Sequence, residues 1–276
     1  MRRRDMLAGS GMIWTVSLPN GGSGHNTAAG SKTDSPPDTA PGTEIVATID
    51  FIHEPDQRLR GTEHVRYRFT EDGGVWIEIH SVSFDPPVVR DVSYMLDSNF
   101  YPVECYVKIE ADRRFAGSGL YSVGKNAVGV TGRNGDGEPV SKTFAIDGPV
   151  KSIVSHPVSS DILVSMAADR SKPGVVSRTR GAYLTSADAY GRAVPEWKES
   201  DIAVQFIGVE SFETPLGMVE ADHFLLNLPS ADGGYEPFED LWCLTGTPVF
   251  LGAYARQPTS TRYRLRSIEV VNGGSR

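Results

Sequence analysis

His156 and Asp161 are the residues from which chemistry in this chain is most readily built. His156 is followed by Pro157, which holds it extended, and it stands just before a run of helical spacing that also offers Ser159, Ser160 and Asp161. An imidazole at a helix entrance, with a carboxyl in the first turn, suits general acid/base work, so His156 and Asp161 are the catalytic candidates if the protein is an enzyme. His223 is a second titratable candidate, aligned at strand spacing with Val219, Ala221 and Leu225 on an otherwise apolar face. The competing readings are a loop histidine with a structural hydrogen bond for His156 and a satisfied core histidine for His223. Nothing in the spacing fixes a nucleophile beside either, so no Ser-His-Asp triad can be assembled.

The other reactive side chains lead away from a site. A hairpin over residues 62–82 is closed by Asp72-Gly73-Gly74, read as a three-residue loop with Gly74 left-handed. That register sets Tyr67 opposite Ile79, Phe69 opposite Ile77 and Arg66 opposite His80. His64 and His80 then share the polar face with a cation, which opposes metal binding and makes them surface residues. His53 falls in a turn and His25 in a linker. No Cys/His cluster has zinc spacing, and no EF-hand loop is present. G-x-S-x-G, the Walker loop and G-x-G-x-x-G are absent, so no metal and no cofactor is expected. Cys105 and Cys243 read as buried thiols, with a single disulfide open to them in an oxidising compartment.

The elements that position these residues are mostly strands. Of 276 residues, 39% are apolar and 22% charged, as in a soluble globular protein. The 29 Gly and 18 Pro are scattered between short apolar runs and punctuate β-turns rather than long helices. Residues 44–52 form a first strand. Strands follow within 92–96, 100–109, 115–123, 127–133 and 140–146, and another is expected over 175–184. Ile202 to Leu226 reads as strand, turn, strand, with Thr214-Pro215-Leu216-Gly217 supplying Pro and Gly at favoured turn positions. Strands at 241–244, 249–254 and 263–271 complete a C-terminal meander. One helix interrupts them. It starts after His156-Pro157 with Ser159 or Ser160 as cap, carries Ile162, Leu163, Met166 and Ala167 as an apolar stripe, and stops at Lys172-Pro173-Gly174.

The expected fold is therefore mainly β: a curved antiparallel sheet, half-barrel or open barrel, with one amphipathic helix packed on its concave face. Residues 44–271 make a single domain. Ahead of it, Arg3-Arg4-x-Met6-Leu7 and the apolar run to Leu18 resemble a twin-arginine export signal over residues 1–29, with Thr27-Ala28-Ala29 at its end. Residues 30–43 form a flexible linker of small and polar residues. A periplasmic or otherwise exported location follows, and a cytoplasmic one is the alternative. No segment has the roughly 20 apolar residues of a membrane span, so no stable membrane insertion is expected. The formal charge is −8, and because the first forty residues carry four basic and three acidic side chains the remainder is −9. That balance disfavours nucleic acid and anionic membrane surfaces as partners.

Five stretches carry a resemblance: Phe206-Ile-Gly-Val-Glu210, Glu213-Thr-Pro-Leu-Gly217, Ala221-Asp-His-Phe224, Asp240-Leu-Trp242 and Tyr263-Arg-Leu265. In this order they resemble an uncharacterised bacterial envelope family of half-barrel proteins, similar in layout to the lipoprotein carriers LolA and LolB. The resemblance spans roughly residues 200–271. It implies a curved sheet around a helix with an apolar cavity, and no particular reaction. The chain departs from a carrier in its longer N-terminal half and in lacking a Cys after the leader. On this reading a hydrophobic small molecule or lipid is held in the cup, with Tyr94, Tyr183, His223 and Trp242 as lining residues. A cofactor-independent isomerase, lyase or hydrolase in the same cup is the alternative, and a structural envelope protein is a second one.

Overall fold

The computed structural model describes residues 39–186, 188, 191–256 and 260–272. The expected export signal, and the expected linker up to residue 38, lie outside the described residues. Among the described residues, seventeen strands and one helix follow in chain order. The first eight strands are β1 (Thr43–His53), β2 (Arg58–Phe69), β3 (Val75–Phe84), β4 (Pro87–Leu96), β5 (Pro102–Ala111), β6 (Arg114–Val123), β7 (Ala127–Arg133) and β8 (Pro139–Ala145). An inner segment then holds β9 (Ser152–Val154), α1 (Val158–Ser165), β10 (Val176–Arg178), β11 (Ala182–Leu184) and β12 (Lys198–Glu199). The chain ends with β13 (Ala203–Thr214), β14 (Gly217–Pro229), β15 (Tyr235–Leu244), β16 (Phe250–Ala255) and β17 (Thr261–Asn272).

Fourteen of these strands form one antiparallel sheet in the order β10-β13-β14-β15-β16-β17-β1-β2-β3-β4-β5-β6-β7-β8. The two halves of the chain are stitched through β1, which pairs with β17 on one side and β2 on the other. The sheet is large and curved and does not close into a barrel. Its faces follow from alternation. In β1, Ile45, Ala47, Ile49 and Phe51 are buried while the residues between them are half-exposed. The outer face carries polar pairs such as Arg66 with Glu44 and His80 with Asp91.

The inner face is covered by a second, small layer. β9, β11 and β12 make a three-stranded sheet in which β9 and β11 run parallel. α1 packs against β9, β13, β15 and β16. Ile153, Ile162, Leu163, Tyr94, Tyr121, Phe224 and Phe250 are among the side chains fully enclosed between the layers. At roughly 1.5–3 kcal/mol per large apolar side chain, this interface is a principal source of stability.

Three expectations need correction. The strand expected over 175–184 is two short strands in different sheets, because the chain turns at Gly181 (φ +80°) and passes from the outer sheet to the inner layer. The first hairpin pairs Tyr67 with Ile77, Phe69 with Val75 and His64 with His80. Thr70 N–H bonds Gly74 O, so the loop is Glu71-Asp72-Gly73 and the left-handed glycine is Gly73 (φ +82°). Moving the loop by one residue shifts the register by two and leaves every side chain on its expected face. Finally, neither Ser159 nor Ser160 caps α1. Pro157 stands at the N-cap and supplies no side-chain hydrogen bond. The helix also ends at Ser165, short of the stop expected at Lys172-Pro173-Gly174, and is buried around nearly its whole circumference, beyond the single stripe expected.

Candidate functional site

The helix begins at a charge. Glu63 lies on β2 at an inward position, in line with Val65, Tyr67 and Phe69, and its side chain is fully buried. Its carboxylate accepts the backbone N–H groups of Val158 at 3.2 Å and Ser159 at 3.0 Å. It thus replaces the cap that Pro157 cannot provide, and it places negative charge at the positive end of the helix. Burial pushes the Glu63 pKa up, while hydrogen bonds from Ser159, Ser81 and Val158 oppose the rise.

Other polar groups converge on this point. Arg90, at an inward position of β4 beside Val88 and Val92, is 7% exposed. Burial lowers its pKa, and the charges of Glu63, Tyr263, Asp161 and Asp188 raise it. Asp161 keeps part of its surface exposed, yet the protein packed around its carboxyl, and then the charge of Glu63, lift its pKa to about 8. Glu239, on the inward face of β15, is pushed well above the usual range by burial and next by Asp161. Three carboxyl groups, Glu63 and Glu239 on the concave face and Asp161 on α1, thus act on one another and, through Glu63 and Asp161, on Arg90 where the helix meets the sheet, and burial raises the pKa of each acid. Neutral carboxyls donate hydrogen bonds and Arg90 supplies positive charge.

His156 stands at the edge of this cluster with φ +74°, not in the extended conformation expected before Pro157. That conformation is uncommon for a non-glycine residue and costs roughly 1–3 kcal/mol. Its Nε2 is buried and, among the described residues, has no hydrogen-bond partner. Burial, and then the neighbouring Arg90, lower its pKa to about 4, with Asp188 opposing. His156 is therefore a neutral imidazole at physiological pH. The charges that act on it are Arg90 and Asp188, not Asp161. Gly191 makes room for the ring: a Cβ built there would fall inside it, and its φ is +61°. Gly191→Ala is expected to cost about 1–3 kcal/mol in thermal or urea unfolding through this overlap. An unchanged stability would mean that the ring is free to move aside.

Two of the nearby serines are engaged elsewhere. Ser160 Oγ donates to Pro157 O at 2.6 Å, and Ser155 Oγ donates to Ser160 Oγ at 3.4 Å. No described hydroxyl is hydrogen-bonded to His156, so the cluster contains no serine–histidine nucleophile pair among the described residues.

The four expected ligand-binding residues fall in three places. Tyr94 is fully buried under the inner layer, its hydroxyl donating to Ile153 O at 2.8 Å and lying 2.6 Å from Ser155 Oγ. Tyr183 is half-buried on β11 and stacks on Trp197 at 4.3 Å between centroids. His223 and Trp242 do not line the concave face. They pair across β14 and β15 and project outward, while their neighbours Phe224 and Leu241 fill the core. His223 stacks on Trp242 at 4.4 Å, and its Nε2 lies 3.2 Å from Asp240, which Arg256 also binds. His156 and His223 thus stand on opposite faces of the sheet.

The outer-face histidines behave as the sequence implies. A shallow groove of about 350 Å³ is lined by His64, Arg66, His80 and Asp91 among others. His64 faces His80 directly, where Arg66 was expected, but Thr48 engages His64 and Asp91 engages His80. Among the described residues no group of three His, Cys, Asp or Glu side chains could hold a metal ion. Cys105 and Cys243 are separate buried thiols. No helix among the described residues is long and apolar enough to cross a membrane.

Fold and site together define an open, β-barrel-like protein with a plugged concave face. No protein-family model matches the chain, and no curated protein matches it. Among solved structures, it is similar to a beta-barrel-like protein of the domain of unknown function DUF1849 from Brucella abortus. That similarity has a TM-score of 0.51 at 11% identity and covers 84% of this chain and 100% of the other. A protein with a YmcC-like fold from Bacteroides fragilis matches with a TM-score of 0.27 at 10% identity, over 83% of this chain and 96% of that one. At these identities the likeness to the Brucella protein is one of fold.

Proposed function

We propose that the chain is an exported binding protein that holds a hydrophobic small molecule or lipid between its curved sheet and the inner layer, in the manner of the carriers LolA and LolB. The observation that carries this reading is the way the concave face is covered. A broad apolar sheet surface is covered by a small layer whose helix is fastened to the sheet through a buried carboxylate. A buried ionic fastening is seldom the most stable solution at such an interface, since well-packed apolar residues hold as well or better. It suits a layer that separates from the sheet and lets an apolar guest take its place. Tyr94, with its hydroxyl on Ile153 and Ser155, lies at this seam. The placement of His156 and His223 on opposite faces weighs against an enzyme that uses both.

The test is native mass spectrometry of protein expressed from the full chain and purified without detergent. A reproducible extra mass, lost on denaturation and identified as a lipid or apolar metabolite, is expected. A clean apo mass, with no displacement of a fluorescent fatty-acid probe, would overturn the binding reading. Cell fractionation tests the location. The protein should leave the cytoplasm, and Arg3→Lys with Arg4→Lys should hold it there; equal export of both would remove the twin-arginine reading.

A further inference from the structure

β13 is paired along only part of its second side. β10 meets it over Ala203, Val204 and Gln205, and Gly174 N–H bonds Phe206 O. From Ile207 to Thr214 the strand has β14 on one side and, among the described residues, no strand on the other. At about 3.4 Å per residue, this open edge can seat a strand of seven or eight residues.

Natural sheets protect such edges with Pro, Lys or very short strands. The opposite edge of this sheet shows that protection: β8 is short, begins at Pro139 and carries Lys142. β13 shows the reverse. Its sequence, AVQFIGVESFET, has no Pro, Lys or Arg. Ile207 and Val209 are 39% and 53% exposed. A bulge at Phe206–Gly208 redirects the strand just where pairing with β10 ends. The only charges along the edge are acidic. Glu213 and, on the adjoining β14, Glu220 are exposed, and neither has an ion-pair partner among the described residues. Glu210 is bound by Trp242 Nε1 at 2.5 Å.

We propose that the Ile207–Thr214 edge is a strand-addition site for an extended segment of a partner protein, one that alternates apolar and basic side chains. Backbone hydrogen bonding supplies the attachment, Ile207 and Val209 give apolar contact, and the acidic residues select for Lys and Arg. A second copy of this chain fits less well. The same edge of a second copy carries Glu210 and Glu213 and no basic side chain, so paired edges bring acidic charge to acidic charge and gain no opposite-charge contact. This site lies outside the concave face and does not depend on what that face binds.

The probe is a fluorescein-labelled octapeptide of alternating Lys and Val, titrated into the full protein by anisotropy, with hydrogen exchange read at residues 207–213. Two controls accompany it: a Glu–Val octapeptide, and a peptide of the same charge in which every Val is Pro. The Lys–Val peptide should bind and slow exchange across 207–213, and both controls should bind at least about tenfold more weakly. Val209→Lys combined with Glu213→Lys should weaken binding by about tenfold with the melting temperature unchanged. If that variant folds poorly, Glu220→Lys serves in its place. Three results would overturn the proposal: no protection at 207–213, equal binding of the proline peptide (charge attraction without strand addition), or concentration-dependent protection of the edge without peptide, which would assign it to a second copy.

Discussion

Glu63→Ala is expected to lower the free energy of unfolding by about 3–5 kcal/mol, the cost of breaking one side of a buried polar assembly. Two effects add. The N–H groups of Val158 and Ser159, each held by Glu63 in a buried setting, lose their acceptor, and an unsatisfied buried donor costs roughly 1–3 kcal/mol. Arg90 also loses the first of the negative charges that offset its burial. One term opposes them: Asp161, whose pKa Glu63 helps to raise, is partly relieved. That relief is the smaller effect, because burial and not Glu63 is the main cause of the Asp161 shift. Glu63→Gln keeps an amide oxygen for one of the two donors but removes the charge, and should cost about half as much. Urea unfolding of the three proteins at a fixed pH measures the difference. Amide exchange at residues 158 and 159 should rise first in the alanine variant, since those donors depend on Glu63. An alanine variant within about 1 kcal/mol of the parent would show that water or a neighbour replaces the carboxylate.

Much of this architecture was legible in the sequence, and the exceptions have physical causes. Apolar runs at 44–52, 115–123 and 127–133, and alternation over 103–109, mark strands, and the structure has them within a few residues. Alternation fixes faces but not where a loop is centred, so the first hairpin kept its sides and lost its register. Glu63 and Arg90 carried a readable signal. Counted on the same parity that sends His64 and Arg66 outward, Glu63 falls on the apolar face, and Arg90 interrupts Val88, Val92 and Tyr94 in the same way. A charged residue at an inward position announces either an error or a site, and here it announces the helix cap. That His223 faces outward was not readable. β14 is apolar on both sides, because Phe224 and Leu226 meet the inner layer while Val219 and Ala221 are buried on the other face. Periodicity cannot tell which apolar side is inner. The encounter of Asp188, Arg90 and His156 joins segments distant in sequence, and no local pattern marks it.

The same acids should make the protein more stable in mild acid than at pH 8, by about 2–4 kcal/mol between pH 8 and pH 5.5. Asp161 has a folded pKa of about 8 against a usual value of 3.8, and Glu239 and Glu63 are shifted in the same direction. A carboxyl raised in this way contributes stability in full below its unfolded pKa and loses it as pH rises toward the folded value. Each contributes a slope of at most roughly 1.4 kcal/mol per pH unit, and the partial exposure of Asp161 reduces its share. His156 runs the other way. Its pKa falls from 6.5 unfolded to about 4 folded, so its contribution is complete above 6.5 and is lost as pH falls to 4. From pH 8 to 6.5 only the acids act and stability climbs; from 6.5 toward 4 the histidine offsets one of them and the climb slows. The surface carboxylates Asp56, Asp72, Asp169 and Asp232 have lowered pKa values and stay ionised in both states throughout this window, so they do not alter it. Thermal unfolding at half-unit pH steps should therefore show a maximum on the acid side of neutrality. Asp161→Asn and Glu239→Gln should each flatten the limb between pH 6.5 and 8, because an amide cannot ionise. A melting temperature that is level or higher at pH 8 would mean that the acids ionise freely in the folded state, and that the seam between sheet and inner layer is far wetter than the burial of Glu63 and Glu239 implies.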